Sequence, residues 1–258
     1  MIHQIKEGYV KVEPKHGITT IEFFHPQGNA LPAAILADLA QEIHSAGLDT
    51  ETKVIVLRSA GEGAFCAGAS FNEIKAVTTP EEGRVFFSGF ANVINAMRKC
   101  PKLIIARIHG KCVGGGVGLA AAADYAIALE GADVKLSELS IGFGPFVVGP
   151  AIEKRIGLAA FSQLAIDAAM WRPAEWARRK GLYAELHSNL ENMDESIQRL
   201  ANELMHANPE AMAEMKKILW RDADDWDTLL PERAAISGRL VVSSYAKAAL
   251  EKIKSKLH

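Results

Sequence analysis

The chain has 258 residues, of which 49% are hydrophobic and 23% charged. That length carries one large domain, or one domain with an appendage, and its core needs no metal or disulfide to hold it. With 29 Lys+Arg against 31 Asp+Glu the formal charge is −2, so the balance points to neither nucleic acid nor a membrane surface as a bulk partner. The three cysteines include no C-x-x-C pair, which argues against a secreted disulfide scaffold and a zinc site; no metal is expected. No uninterrupted apolar run reaches the ~18 residues of a membrane span. The opening MIHQIKEGYV has no signal-peptide core, so a cytoplasmic protein is expected.

Strand and helix signals alternate through the first part. Residues 18–24 (ITTIEFF) are β-branched and aromatic, as in a strand. Residues 31–46 carry apolar side chains at helical spacing, with Pro32 in the first turn. Residues 54–57 (VIVL) and 103–108 (LIIARI) read as strands buried on both faces. Between them Thr79, Pro80 and Glu82 form a capping box that opens a helix to about Arg98. Residues 120–123 read as the end of a short helix, and 125–129 as the next strand.

Beyond Val147 the chain reads as helices over 149–156, 159–169, 173–180, 193–206, 209–220 and 230–253, with one short strand at 184–187. An α/β core over 1–190 followed by a helical region over 191–258 is therefore expected. The terminal lysines Lys247, Lys252, Lys254 and Lys256 read as a solvated face of the last helix.

Two glycine-rich turns follow buried strands: AFCAGAS at 64–70, and HGKCVGGGVGL at 109–119. In open α/β sheets ligands bind outside the carboxyl ends of strands. Glycine lets backbone approach a ligand, and a helix starting after such a turn offers free N–H groups. Two such turns side by side supply the two donors of an oxyanion hole. Each turn also has a plainer reading, a tight connection that needs glycine. Residues 116–121 fit the dinucleotide pattern GxGxxA, but the next strand arrives too soon for the long helix that fingerprint requires.

Glu138 lies among Val134, Leu136, Leu139, Ile141 and Phe143. Burial there would raise its pKa and suit it to proton transfer; the alternative is the exposed side of a strand. Cys66 and Cys112 lack a paired histidine, His109 reads as structural, and Asp124 as a cap or core ion-pair partner.

Four segments in order resemble the enoyl-CoA hydratase/isomerase (crotonase) family: AFCAGASF (64–71), IHGKCVGGGVGLAAAADYAIA (108–128), LSELSIGFGP (136–145) and WRPAEWARRKGLYAE (171–185). The nearest pattern is that of bacterial methylglutaconyl-CoA-hydratase-like members. The resemblance implies an α/β, crotonase-like ββα spiral core and a helical C-terminal region that builds homotrimers or hexamers. It implies an acyl-CoA thioester substrate, with coenzyme A part of the substrate and no separate cofactor. The thioester oxygen would accept from the N–H groups of Ala69 and Gly115, with Ala67, Gly68 and Gly114 lining the substrate. Glu138 would be the acid/base.

Three departures from the family pattern stand out. The first of two usual glutamates falls on Gly118, Ser70 stands where Asp is common, and Phe146-Val147-Val148 replaces a small stretch beside Glu138. Hydration is the expected reaction. Double-bond isomerisation by the single acid, decarboxylation or C–C cleavage of the same enolate, and a non-catalytic acyl-CoA-binding subunit are the alternatives.

Overall fold

The computed structural model describes residues 2–5 and 7–257, with side chains from 7 to 252. In chain order the elements are β1 (Ile2–Ile5), β2 (Gly8–Lys15), β3 (Ile18–Phe24), β4 (Ala30–Leu31), α1 (Ala33–Leu48), β5 (Val54–Ser59), β6 (Gly68–Ala69), α2 (Phe71–Ala76), α3 (Pro80–Lys99), β7 (Leu103–Ile108), β8 (Cys112–Val113), α4 (Gly115–Ala122), β9 (Tyr125–Leu129) and β10 (Val134–Lys135). A 3₁₀ turn at Glu138–Ile141 precedes α5 (Gly149–Ile166), α6 (Ala174–Arg179), β11 (Glu185–His187), α7 (Leu190–Met205), α8 (Pro209–Leu219), α9 (Trp226–Val241) and α10 (Ser244–Leu257).

One plan repeats four times: a long strand in the main sheet, a two-residue strand in a second layer, then a helix. The groups are β3–β4–α1, β5–β6–α3, β7–β8–α4 and β9–β10–α5, the second and fourth with a short helical turn inserted. The main sheet has seven strands in the order β1-β2-β3-β5-β7-β9-β11, antiparallel as far as β3 and parallel thereafter. In the second layer β4 pairs with β6 and β8 with β10, and a Cys66–Cys112 bridge joins the two ladders. This is the α/β spiral the resemblance implied.

The central strands are apolar on both faces because both are covered. One face of β5 and β7 packs with α1 and α3 in the large core. The other meets α7 through Met193, Ile197 and Ala201, a helical i, i+4, i+8 stripe against Val54, Val56, Ile105 and Ile127. Burying Met193 and Ile197 contributes about 1.5–3 kcal/mol each to docking this helix. Helices α3 and α9 cross at a glycine pair: a Cβ on Gly83 would stand 2.6 Å from Gly238 Cα. The last helix, α10, packs on the 3₁₀ turn, where a Cβ on Gly142 would stand 2.6 Å from Ala246 Cα. Lys247 and Lys252 are exposed on α10; the side chains of Lys254 and Lys256 lie outside the described residues.

Several boundaries differ from the sequence reading. Strand β2 has no counterpart in the sequence expectations, yet it pairs with β3 from Tyr9–Phe24 to Lys15–Ile18. Pro32 is the N-cap of α1, and Leu31 belongs to β4. The expected helix over 230–253 is two helices broken at Val242–Ser243, whereas α4 begins straight after the glycine turn, at Gly115, and ends at Ala122, as read. The capping box at Thr79 is present as read, with Glu82 N–H to Thr79 Oγ1 at 3.2 Å. The break expected before residue 159 is a kink at Gly157, whose backbone is non-helical inside α5.

Candidate active site

Three extended segments run side by side where the second layer meets α4. Val113 N–H donates to Cys66 O at 2.9 Å, and Gly114 N–H donates to Lys135 O at 2.9 Å. These bonds set the 64–70 turn, the 109–114 turn and β10 in one register. Ser70 N–H donates to Leu31 O, so alternation along the strand turns the Ala69 N–H away from β4. On that opposite side lies the start of α4, where the Gly115 N–H has no intrahelical acceptor. A Cβ on Gly68 would stand 3.6 Å from Gly115 N, so the two turns abut.

The glycines are needed for steric reasons. Gly114 has φ +52° and ψ −113°, strained for other residues, and a Cβ there would stand 2.7 Å from Glu138 Oε1. A Cβ on Gly115 would stand 2.1 Å from Phe90 Cε1. The backbone of the second turn is thus pressed between an aromatic ring and the carboxylate.

Glu138 opens the 3₁₀ turn instead of standing on a strand face. The residue is half-buried, yet Oε2 is sealed from solvent and has no hydrogen-bond partner. Burial pushes its pKa from an ordinary 4.5 up to about 7. A carboxyl poised near neutrality both takes and returns a proton.

A cavity of about 760 Å³ opens over this group. Its walls include Ala67, Gly68, Ala69, Gly114, Gly115 and Glu138. Every residue singled out from the sequence for the site therefore lines one space. The lining is otherwise largely apolar, with Phe87, Phe90 and Phe143 joined by the unusual Phe146, Val147 and Val148.

The Gly118 position has a structural counterpart that sequence reasoning missed. A Cβ on Gly118 would stand 2.6 Å from Val148 Cγ1 and 2.8 Å from Val148 Cβ. Val148 takes up the room that a side chain at 118 would need. No local signal reveals this, because the two residues are thirty apart in sequence and meet only when α5 packs on α4.

The weaker candidates fall outside the chemistry. Cys66 and Cys112 are buried thiols whose pKa values are raised by desolvation, Cys66 to about 12, so both stay protonated near neutral pH. Burial lowers the pKa of His109, which lies off the cavity. Asp124 is an ion-pair partner in the core, 2.8 Å from Lys216 Nζ, and also accepts from Ile104 N–H and Trp220 Nε1. Among the described residues no cluster of three or more His, Cys, Asp or Glu is placed to hold a metal, and no helix is long and apolar enough to cross a membrane.

Known proteins share this architecture and sequence pattern. A solved enoyl-CoA hydratase from Bacillus halodurans superposes with a TM-score of 0.87 at 22% identity, over 94% of this chain and 99% of that one. The mouse mitochondrial methylglutaconyl-CoA hydratase is 29% identical over 205 residues, covering 78% of this chain and 65% of its own length. The Arabidopsis thaliana peroxisomal Δ(3,5)-Δ(2,4)-dienoyl-CoA isomerase is 26% identical over 211 residues, 76% of this chain and 74% of that one. A methyl-dioxo-hexahydroindene-carboxyl-CoA hydrolase of Mycobacterium tuberculosis is 32% identical over 133 residues, and there the match spans only about half of each chain, 50% and 52%. The model of the enoyl-CoA hydratase/isomerase family matches residues 13–253, and the chain belongs to that family.

Proposed function

We propose that this protein hydrates an enoyl-CoA thioester with Glu138 as its single acid/base and the N–H groups of Ala69 and Gly115 as the oxyanion donors. The observation that carries the reading is the Glu138 carboxyl, its Oε2 sealed from solvent and without a hydrogen-bond partner, beside two abutting glycine turns in one cavity. The thioester oxygen accepts from the two N–H groups, which stabilise negative charge as the enolate develops. Glu138 takes a proton from water while the water oxygen bonds to the β-carbon. The protonated carboxyl then gives that proton to the α-carbon, and the thioester carbonyl re-forms. One carboxylate suffices when the hydrogen and the hydroxyl of the added water arrive on the same face. Glu138 is suited to both halves because its pKa lies near 7. The mouse hydratase relative supports this reaction type. Coenzyme A is part of the substrate, and a homotrimer or hexamer in the cytoplasm completes the proposal.

Val148 favours a second reading. It fills the place beside Gly118, so no second carboxylate shares the work. A single base moving one proton between α- and γ-carbons would isomerise a double bond without water.

The test offers 2-enoyl-CoA, 3-enoyl-CoA and methylglutaconyl-CoA to the purified protein and to Glu138→Gln. Hydration that falls by roughly 10²–10⁴-fold in the variant is the expected result. Conversion of 3-enoyl-CoA to 2-enoyl-CoA without hydration selects the second reading. Turnover undiminished in Glu138→Gln overturns both, and tight binding without turnover by the native protein makes it an acyl-CoA-binding subunit.

A further inference from the structure

One edge of the cavity carries a cationic cluster for which the chemistry above has no use; of its three residues only Lys135 is part of the lining. Lys135 lines the cavity three residues before Glu138, and its carbonyl holds the Gly114 N–H. Its ammonium lies 5.6 Å from the centroid of the Trp171 ring. Lys111, exposed on the neighbouring turn, places its own ammonium 4.8 Å from the same centroid. Trp171 is itself 37% exposed. Among the described residues neither lysine has a carboxylate partner at ion-pair distance.

We propose that Lys111, Lys135 and Trp171 form an anion-binding corner at the edge of the substrate cavity, entered through Lys135, which takes a carboxylate or phosphate oxygen carried by the thioester substrate. Two like charges over one indole repel each other, and the ring offsets only part of that through its electron-rich face. A bridging anion removes the repulsion and supplies the missing counter-charge. The corner adjoins the cavity through Lys135, so an anionic group carried by a molecule in the cavity can reach it. Two parts of a thioester carry such a group: a carboxylate at the far end of the acyl chain, and the phosphates of coenzyme A. The inference rests on the thioester reading.

The experiment measures binding by calorimetry for crotonyl-CoA, glutaconyl-CoA and the phosphate-free pantetheine thioester of each. The native protein is compared with the Lys111→Gln/Lys135→Gln double variant, its fold checked by circular dichroism. A loss on the order of tenfold or more is expected for ligands that place an anion in the corner. Loss confined to the two glutaconyl thioesters assigns the corner to the acyl carboxylate. Loss confined to the two CoA thioesters assigns it to the phosphates. Equal affinity throughout, or an equal loss on all four ligands, overturns the proposal. A native protein that binds no thioester refutes the functional reading instead. The corner is then judged by titrating glutarate and inorganic phosphate against indole fluorescence, and no difference between native and double variant overturns it.

Discussion

The contact between Gly118 and Val148 makes a quantitative prediction about why this site has one acid. Gly118 sits inside α4, where alanine is favoured over glycine by up to about 1 kcal/mol. Gly118→Ala nevertheless forces a Cβ to within 2.6 Å of Val148 Cγ1 and 2.8 Å of Val148 Cβ. Val148 is 5% exposed and follows a tight turn, so it has little room to retreat. Overpacking of this kind costs roughly 1–3 kcal/mol. The two effects oppose, and the single substitution should destabilise by only about 0–2 kcal/mol. Val148→Gly alone should cost roughly 2–4 kcal/mol by emptying a buried space. In the double variant the added methyl enters that space, so the overpacking cost disappears. The two changes should therefore couple by about 1–3 kcal/mol in the stabilising direction. Urea unfolding of the native chain, both singles and the double, at one protein concentration, closes the cycle. Additivity within about 0.5 kcal/mol would refute the steric account and leave the glycine at 118 unexplained.

Two further predictions concern the proposed chemistry. Burial holds Glu138 protonated in the fold up to about pH 7, whereas the unfolded chain ionises it near 4.5. Its stabilising protonated form is fully present below pH 4.5 and is lost as pH rises through 7, a swing of about 3 kcal/mol. Glu138→Gln should accordingly gain stability relative to the native chain between pH 4.5 and 8; an offset that stays constant across that range in urea unfolding sinks the assignment. Ala69→Pro deletes one proposed oxyanion donor, whose loss should lower kcat by roughly 10²–10³-fold. A properly folded Ala69→Pro variant with unchanged kcat removes Ala69 from the oxyanion hole.

Much of the site is legible in the linear pattern. The two glycine turns each follow a buried strand, and their connection to one another needs only parallel strand order, which places successive strand ends along one edge. Glu138 could be singled out because five apolar residues surround it within ten positions. Its surroundings in the fold raise its pKa, as that local context suggested. The capping box at Thr79 was equally local, since its bonds span three residues. Strand β2 was missed because it is an edge-side strand, paired antiparallel with β3, whose outer half is exposed and carries Lys15, Pro14 and Glu13. The break between α9 and α10 was missed because the hydrophobic periodicity continues through it.

The sequence by itself determined the α/β alternation and the turn glycines and singled out Glu138 as a candidate acid, because these are properties of residues a few positions apart. Tertiary structure alone decided that Val148 fills the space beside Gly118, that Ala246 presses on the turn beyond Glu138, and that Lys111 and Lys135 meet over Trp171. Each of these contacts joins residues brought together by packing of separate elements. Close packing makes such positions depend on one another's volume and charge, and no periodicity within either segment records that dependence.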